Sequence, residues 1–172
     1  MPAFRDEIVW FSRIFARGTI TLVMVLASIA ASPPSVKLIL DTDMSGDCDD
    51  AGAMALLLAL ADRGECELLA IPVNRADRSK ASAAAVDAIA TYYGRPNIPI
   101  GTDKAGPTAL QRTSAYAPAL RDGFPNDVGP DDQAPDAVDV YRQALSAQPD
   151  GSVTICSVGA LSNLAEILRR EP

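Results

Sequence analysis

Residues 36–52 read VKLILDTDMSGDCDDAG, a short apolar run followed by closely spaced acids. The apolar run Val36–Leu40 predicts a buried β-strand, and the apolar residues after Asp50 predict a helix. Five carboxylates lie within ten positions, namely Asp41, Asp43, Asp47, Asp49 and Asp50. We expect them at the carboxyl end of the strand, which is where open α/β sheets bind their ligands.

Acids at this density repel one another and raise each other's pKa unless a cation neutralises them. Carboxylate oxygens are hard ligands that suit Ca²⁺ or Mg²⁺. The alternative is structural: Asp49 or Asp50 caps the helix, and Asp41 and Asp47 are turn residues. Capping uses one or two acids and leaves the others repelling, so the pattern favours a cation site.

Composition restricts the function further. The chain has 172 residues, enough for one domain with a core, and its net charge of −7 argues against a nucleic-acid partner. It contains no histidine, which removes the commonest general acid or base and the commonest transition-metal ligand.

The first 31 residues have the pattern of a secretory signal peptide. Arg5, Arg13 and Arg17 precede the apolar run Ile20–Ala31, and small residues mark its end. The sequence therefore predicts an exported protein, periplasmic or secreted, cleaved near residues 30–32. The alternative is an uncleaved anchor helix, in which case the chain associates with a membrane.

The three cysteines do not predict a disulfide framework, because their number is odd. Cys66 and Cys156 fall in predicted strands, where they are expected to be small core residues. Cys48 lies among the acids, where a reactive thiolate is disfavoured.

Strands and helices alternate along the rest of the chain. This order predicts an α/β fold, a Rossmann-like three-layer α/β/α arrangement with a mostly parallel sheet. The expected strands are 36–41, 66–73, 98–101 and 152–157; the expected helices are 49–63, 79–93 (with Ser79 as N-cap), 134–147 and 161–169. Residues 102–133 are rich in Gly, Pro and Asp and predict a long surface loop.

Three blocks in order resemble the inosine/uridine-preferring nucleoside hydrolases. The segment LILDTDMSGDCDDAGAMALLLAL (38–60) resembles the family's aspartate motif, ELLAIPVN (67–74) its second strand, and TICSVGALSNLAEILRREP (154–172) its strand-turn-helix block. YYGRPNIPIG (92–101) resembles the family's link into the third strand. Together the blocks assign residues 36–172 to the N-terminal part of such a domain.

The resemblance implies a function: hydrolysis of N-glycosidic bonds of ribonucleosides or related ribosides by a Ca²⁺-activated water. Asp43 would be a Ca²⁺ ligand and the base, and Asp50 the second ligand. Val158 would offer its backbone carbonyl to the metal. Asp49 would bind ribose hydroxyls and Asn74 would face the substrate.

Other residues would have supporting roles. Asp41 would orient the loop, Asp47 is an extra acid within it, and Asn163 would brace it. Ca²⁺ is the expected cofactor, with Mg²⁺ second.

Two departures from the family pattern stand out. The family spacing is Asp-x-Asp-x-x-x-Asp-Asp, whereas here five residues separate Asp43 from Asp49. Family members are also about twice as long, and their second half supplies a metal-ligating Asp and a His. The sheet is therefore expected to be incomplete at the C-terminus and the activity impaired, with a missing C-terminal half or a homo-oligomer as partner.

Two other functions stay open on the sequence. One is a non-catalytic remnant that keeps a weak metal site. The other is a phosphatase of the haloacid dehalogenase type, whose first strand also ends in Asp-x-Asp, although Ser45 stands where that family usually has Thr or Val.

Overall fold

A computed structural model describes residues 34–44, 46–74, 76–104, 109–110 and 116–170. The predicted leader, residues 1–31, lies outside them. The strands are β1 (Val36–Asp41), β2 (Cys66–Val73), β3 (Ala76–Asp77), β4 (Ile100–Thr102), β5 (Ala109–Leu110) and β6 (Val153–Ser157). The helices are α1 (Asp49–Asp62), α2 (Ser82–Tyr92), α3 (Tyr116–Gly123), α4 (Ala137–Ser146) and α5 (Ser162–Arg170).

The main sheet has four parallel strands in the order β4-β2-β1-β6. β1 is therefore central, with Val36 opposite Cys66 on one side and Asp41 opposite Ser157 on the other. β3 and β5 form a separate two-stranded parallel pair. The carboxyl ends of all four main strands point to one edge, because the strands are parallel.

Helices cover both faces of this sheet. Leu38 and Leu40 of β1 pack in a core with residues of α1, α2 and α3. Ile39, which points to the opposite face, packs with Tyr141 of α4 and is flanked by Leu164 of α5. The alternation of β1 side chains between two cores confirms the predicted three-layer α/β/α arrangement with a mostly parallel sheet.

The predicted bounds of β1 and β2 are confirmed, whereas α2 begins three residues later than predicted. Ser79 is not its N-cap. Lys80 has a φ of +51°, which is incompatible with a helix, and the cap position is Ala81. The Asp131 carboxylate accepts a hydrogen bond from the Ala83 amide at 2.8 Å and so satisfies the helix start from a distant part of the chain.

The predicted long loop at 102–133 contains a helix, α3, which the sequence analysis missed. Ala117 of α3 is fully buried, and Arg121 donates to the Ser79 carbonyl at 3.0 Å. Asp87 of α2 accepts bonds from the Asp127 and Val128 amides at 2.6 and 3.2 Å. Hydrogen bonds to α2 and to Ser79, which precedes it, therefore hold parts of this segment in place. Residues 105–108 and 111–115 lie outside the described residues.

Smaller differences concern strand and helix ends. The third main strand is Ile100–Thr102 rather than 98–101, and α4 begins at Ala137 because the Asp136 carboxylate caps it through the Val138 amide at 2.8 Å.

In the described part of the chain no helix has the length and apolar character needed to span a membrane.

Candidate functional site

Four strand ends converge at the carboxyl edge of the main sheet. Asp41 ends β1, Asn74 follows β2, Asp103 follows β4 and Val158 follows β6. Backbone hydrogen bonds tie the ends together: the Val158 amide donates to the Asp41 carbonyl at 2.9 Å and the Asp103 amide to the Val73 carbonyl at 2.9 Å. The edge is thus a preformed backbone frame for the side chains above it.

Asp41 is the buried centre of this frame. Its side chain is fully buried, with Oδ1 accepting from the Asn74 amide group and Oδ2 accepting from the Tyr141 hydroxyl at 2.6 Å and from Asn163 at 3.1 Å. Burial is the largest influence on its pKa and raises it, outweighing the three hydrogen bonds that lower it. Asn163 and Tyr141 thus hold the Asp41 carboxylate in the structure, and the orienting role of Asp41 and the bracing role of Asn163 stay predictions.

Asn74 is also fully buried, and both ends of its amide contact protein. Nδ2 donates to Asp41, and Oδ1 accepts from the Ala160 amide at 3.1 Å. Asn74 therefore joins β1, β2 and the turn after β6. A substrate contact through Asn74 stays a prediction, and its observed contacts are with the frame.

Asp50 lies in the first turn of α1, at the same edge of the sheet, and is buried. It is 1% exposed; its Oδ1 accepts from the Thr42 hydroxyl at 2.5 Å, and its Oδ2 has no hydrogen-bond partner among the described residues. The pKa of Asp50 is raised to about 6, chiefly by burial and also by the charges of Asp43 and Asp49, against the lowering effect of the hydrogen bonds from the Thr42 hydroxyl and the Asp43 backbone. A buried carboxylate oxygen without a partner is costly unless a cation or water meets it.

Asp47, Asp49 and Asp50 form one group of carboxylates. One ligand oxygen from each lies within 4.8 Å of the others, and the first two side chains are exposed. A hydrogen bond from Asp47 lowers the pKa of Asp49, and the same contact raises that of Asp47. Three carboxylates at this separation are the donor set that a hard divalent cation prefers.

Asp43 lies between this group and the turn after β6. A Cβ atom added to Gly159 would lie 2.6 Å from Asp43 Oδ1 and 2.8 Å from Asn74 Oδ1. Asp43 also acts electrostatically on Asp47 and Asp50. The Asp43 carboxylate thus occupies the space that a side chain at position 159 would need, next to Val158, whose side chain is partly exposed.

Four residues at this edge were missed by the sequence analysis. Tyr141 donates to Asp41 and Thr42 to Asp50, Gly159 leaves the space that Asp43 occupies, and Tyr116 lies near the acids. The Tyr116 hydroxyl donates to Met44 Sδ at 3.4 Å, and burial together with the four charges of Asp50, Asp47, Asp49 and Asp43 raises its pKa.

Residues 38–172 match the sequence profile of the inosine-uridine preferring nucleoside hydrolases. The chain belongs to this family. The match covers the acid-rich segment, the three hydrogen-bond partners of Asp41 (Asn74, Tyr141 and Asn163) and the turn at Gly159. It selects a nucleoside hydrolase-like domain over the phosphatase alternative, and it supports a glycosidase-type, metal-dependent function in general terms.

Known relatives of this nucleoside hydrolase-like chain are longer. It is 29% identical over 148 residues to an uncharacterized protein of Schizosaccharomyces pombe, an alignment that covers 80% of this chain and 44% of the relative. The chain therefore spans less than half the length of that protein.

Two solved structures share the fold. One is the type III effector protein XopQ, complexed with adenosine diphosphate ribose, with a TM-score of 0.66 at 16% identity over 87% of this chain and 44% of that one. The other is the effector protein XOO4466, with a TM-score of 0.65 at 14% identity over 89% of this chain and 44% of that one. At these identities the likeness establishes the nucleoside hydrolase-like α/β fold alone.

Proposed function

We propose that the carboxyl edge of the sheet is the metal- and ribose-binding part of a site that hydrolyses N-glycosidic bonds of ribosides. The observation that carries this proposal is the buried Oδ2 of Asp50, which has no hydrogen-bond partner in the described part of the chain and belongs to a group of three carboxylates, in a chain of the nucleoside hydrolase family. The donor set fits a hard divalent cation, and Ca²⁺ is our proposed ion.

Asp50 and Asp43, with the Val158 carbonyl, are the proposed holders of the ion. When bound in such a site, a divalent cation lowers the pKa of its water and positions it. Neighbouring residues restrict these holders: the Thr42 hydroxyl donates to one oxygen of Asp50, and the absence of a side chain at Gly159 leaves room for the Asp43 carboxylate. Preorganisation of this kind keeps the reacting groups in position and reduces the reorganisation that catalysis requires.

In this proposal Asp43 is the general base and Asp49 binds the ribose hydroxyls. Asp43 accepts the proton of the attacking water, because its carboxylate lies beside the cluster and the open turn. Asp49 is exposed, and Asp47 lowers its pKa, so it stays charged and can accept hydrogen bonds from ribose hydroxyls. As the water oxygen bonds to the anomeric carbon, the bond from that carbon to the base nitrogen breaks, and the departing base takes its proton from solvent. The positive charge that develops on the sugar then lies next to carboxylates.

The activity of the isolated chain is proposed to be low, because more than half the length of the matched relatives lies outside the match. Inosine, uridine and a nitrophenyl riboside are the substrates to assay, with Ca²⁺ and with a chelator. We expect a slow Ca²⁺-dependent rate that falls about 100-fold or more in Asp43→Asn, the range of a general base. The matched control is Asp150→Asn, an exposed acid in the turn before β6.

A rate that persists unchanged in Asp43→Asn or in chelator would contradict the proposal. Turnover near one per second that depends on Asp43 would instead show that this chain alone is sufficient, and the proposal of low activity would be wrong. If turnover lies below detection, ribose binding is measured instead by saturation-transfer NMR. The Asp49→Asn variant is then expected to lose the ribose-binding signal.

We also propose that the chain is exported and cleaved near residues 30–32, on the basis of the arginine-flanked apolar run. Mass analysis of the exported protein measures this. A product that keeps residues 1–20 would indicate an anchor.

A further inference from the structure

The loop between Asp43 and Asp49 contains a carboxylate for which the family spacing has no counterpart. Five residues separate the two acids here, two more than in the family pattern, and Asp47 is among them. A surplus exposed acid in a loop is by itself only a solvated side chain. Its position in the structure is what distinguishes it.

The structure brings Asp47 to the buried acid of the site. A ligand oxygen of Asp47 lies within 4.8 Å of one from Asp49 and one from Asp50. Asp47 and Asp49 are exposed, whereas Asp50 is 1% exposed. The group therefore extends from a buried carboxylate to solvent, so a cation could enter from outside and keep water ligands on the open side.

A second observation, independent of the acids' proximity, points to a ligand here. Asp50 Oδ2 is inaccessible to solvent and has no hydrogen-bond partner among the described residues, while Oδ1 is taken by Thr42. A buried carboxylate oxygen in this state is satisfied when a cation binds it.

We propose that Asp47 is a direct ligand of the cation that Asp50 holds. This inference rests on the proposed function, and it changes the ligand set. The longer loop adds a third negative charge to the ion from the solvent side. Because the affinity of oxygen sites for Ca²⁺ depends on the number of charged ligands, the added carboxylate increases affinity.

The test is a Ca²⁺ titration of the full chain by calorimetry at pH 7.5, repeated with Tb³⁺ luminescence as a second probe. The variants are Asp47→Asn, Asp50→Asn and the exposed control Asp150→Asn. We expect Asp47→Asn to weaken Ca²⁺ binding by about tenfold or more, Asp50→Asn to remove it, and Asp150→Asn to leave it unchanged. Asp47→Glu, which keeps the carboxylate, should recover part of the loss.

The outcomes separate this inference from the proposed function. If Asp47→Asn binds Ca²⁺ as tightly as Asp150→Asn while Asp50→Asn does not bind, the inference is overturned and the proposed metal site stands. If the wild-type chain binds neither ion, both are overturned. Circular dichroism of each variant verifies folding, which the exposed position of Asp47 should leave unchanged.

Discussion

Replacing Asp50 with asparagine should stabilise the metal-free protein at neutral pH. Burial raises the pKa of Asp50 from 3.8 to about 6, so the folded state binds a proton more readily than the unfolded chain. Between those two values the stability falls as pH rises, because deprotonation costs more in the folded state. At about 1.4 kcal/mol per pKa unit, the total cost above pH 6 is about 3 kcal/mol.

The asparagine variant does not have this cost, although its new amide group lies where Asp50 Oδ2 has no hydrogen-bond partner among the residues that the structure describes. An unsatisfied buried donor costs about 1–3 kcal/mol at every pH. The variant should therefore be slightly less stable than wild type near pH 3.5 and about 1–2 kcal/mol more stable at pH 7.5, using the lower part of that range. The difference in free energy of unfolding between the variant and wild type should therefore change by about 3 kcal/mol from pH 3.5 to pH 7.5.

Urea unfolding in the presence of a chelator, followed by far-ultraviolet circular dichroism at several pH values, measures this difference. Asp150→Asn is the matched control, since that side chain is exposed. The reasoning is refuted if the difference between Asp50→Asn and wild type does not change with pH, or if the variant is the less stable protein at pH 7.5.

Two further predictions concern the frame beneath the acids. Tyr141→Phe removes the 2.6 Å hydrogen bond to buried Asp41 and should lower the free energy of unfolding by about 1–3 kcal/mol in urea titrations; an unchanged midpoint and slope would contradict the role given to that hydroxyl. Gly159→Ala places a Cβ 2.6 Å from an Asp43 oxygen and should weaken Ca²⁺ binding measured by calorimetry. In Gly52→Ala the added Cβ has no described atom within 4 Å outside the neighbouring backbone of its own helix, so this variant should leave binding intact and stabilise α1 by up to about 1 kcal/mol. Equal Ca²⁺ affinity in the two glycine variants would show that the Asp43 position is not fixed by the turn.

The central part of the fold could be predicted from the sequence because its signals are local. The run Val36–Leu40 is apolar and ends at Asp41, so both the strand and its end are visible in the residues themselves. The same holds for Cys66–Val73, bounded by Gly64 and Asn74. Gly64 and Gly94 adopt positive φ values of 73° and 75°, as expected where helices stop.

The start of α2 could not be predicted, because a distant residue determines it. Ser79 has the chemistry of an N-cap, but the helix begins after Lys80 turns into the left-handed region and Asp131 caps it from 48 residues away along the chain. Helix α3 was missed for a related reason. It is eight residues long, too short to be stable alone, and it packs against α2 with Ala117 buried.

The acids of the candidate site were identified from their density, whereas the residues that hold them were not. Tyr141 donates to Asp41 across 100 positions, and Tyr116 contacts Met44 across 72. Nothing in the local sequence distinguishes these tyrosines from core or surface residues. Gly159 carried a faint signal, since it lies in the block 154–172 at the end of a predicted strand, where close backbone approach favours glycine.

We propose that one carboxylate cluster binds both a divalent cation and a ribose. Calorimetric titration of ribose into the full chain, with saturating Ca²⁺ and with a chelator, tests this proposal. We expect ribose binding with Ca²⁺ present, none with chelator, and loss of ribose binding in Asp49→Asn while Ca²⁺ still binds. Ribose binding of equal strength with chelator, or none in either condition, would contradict it.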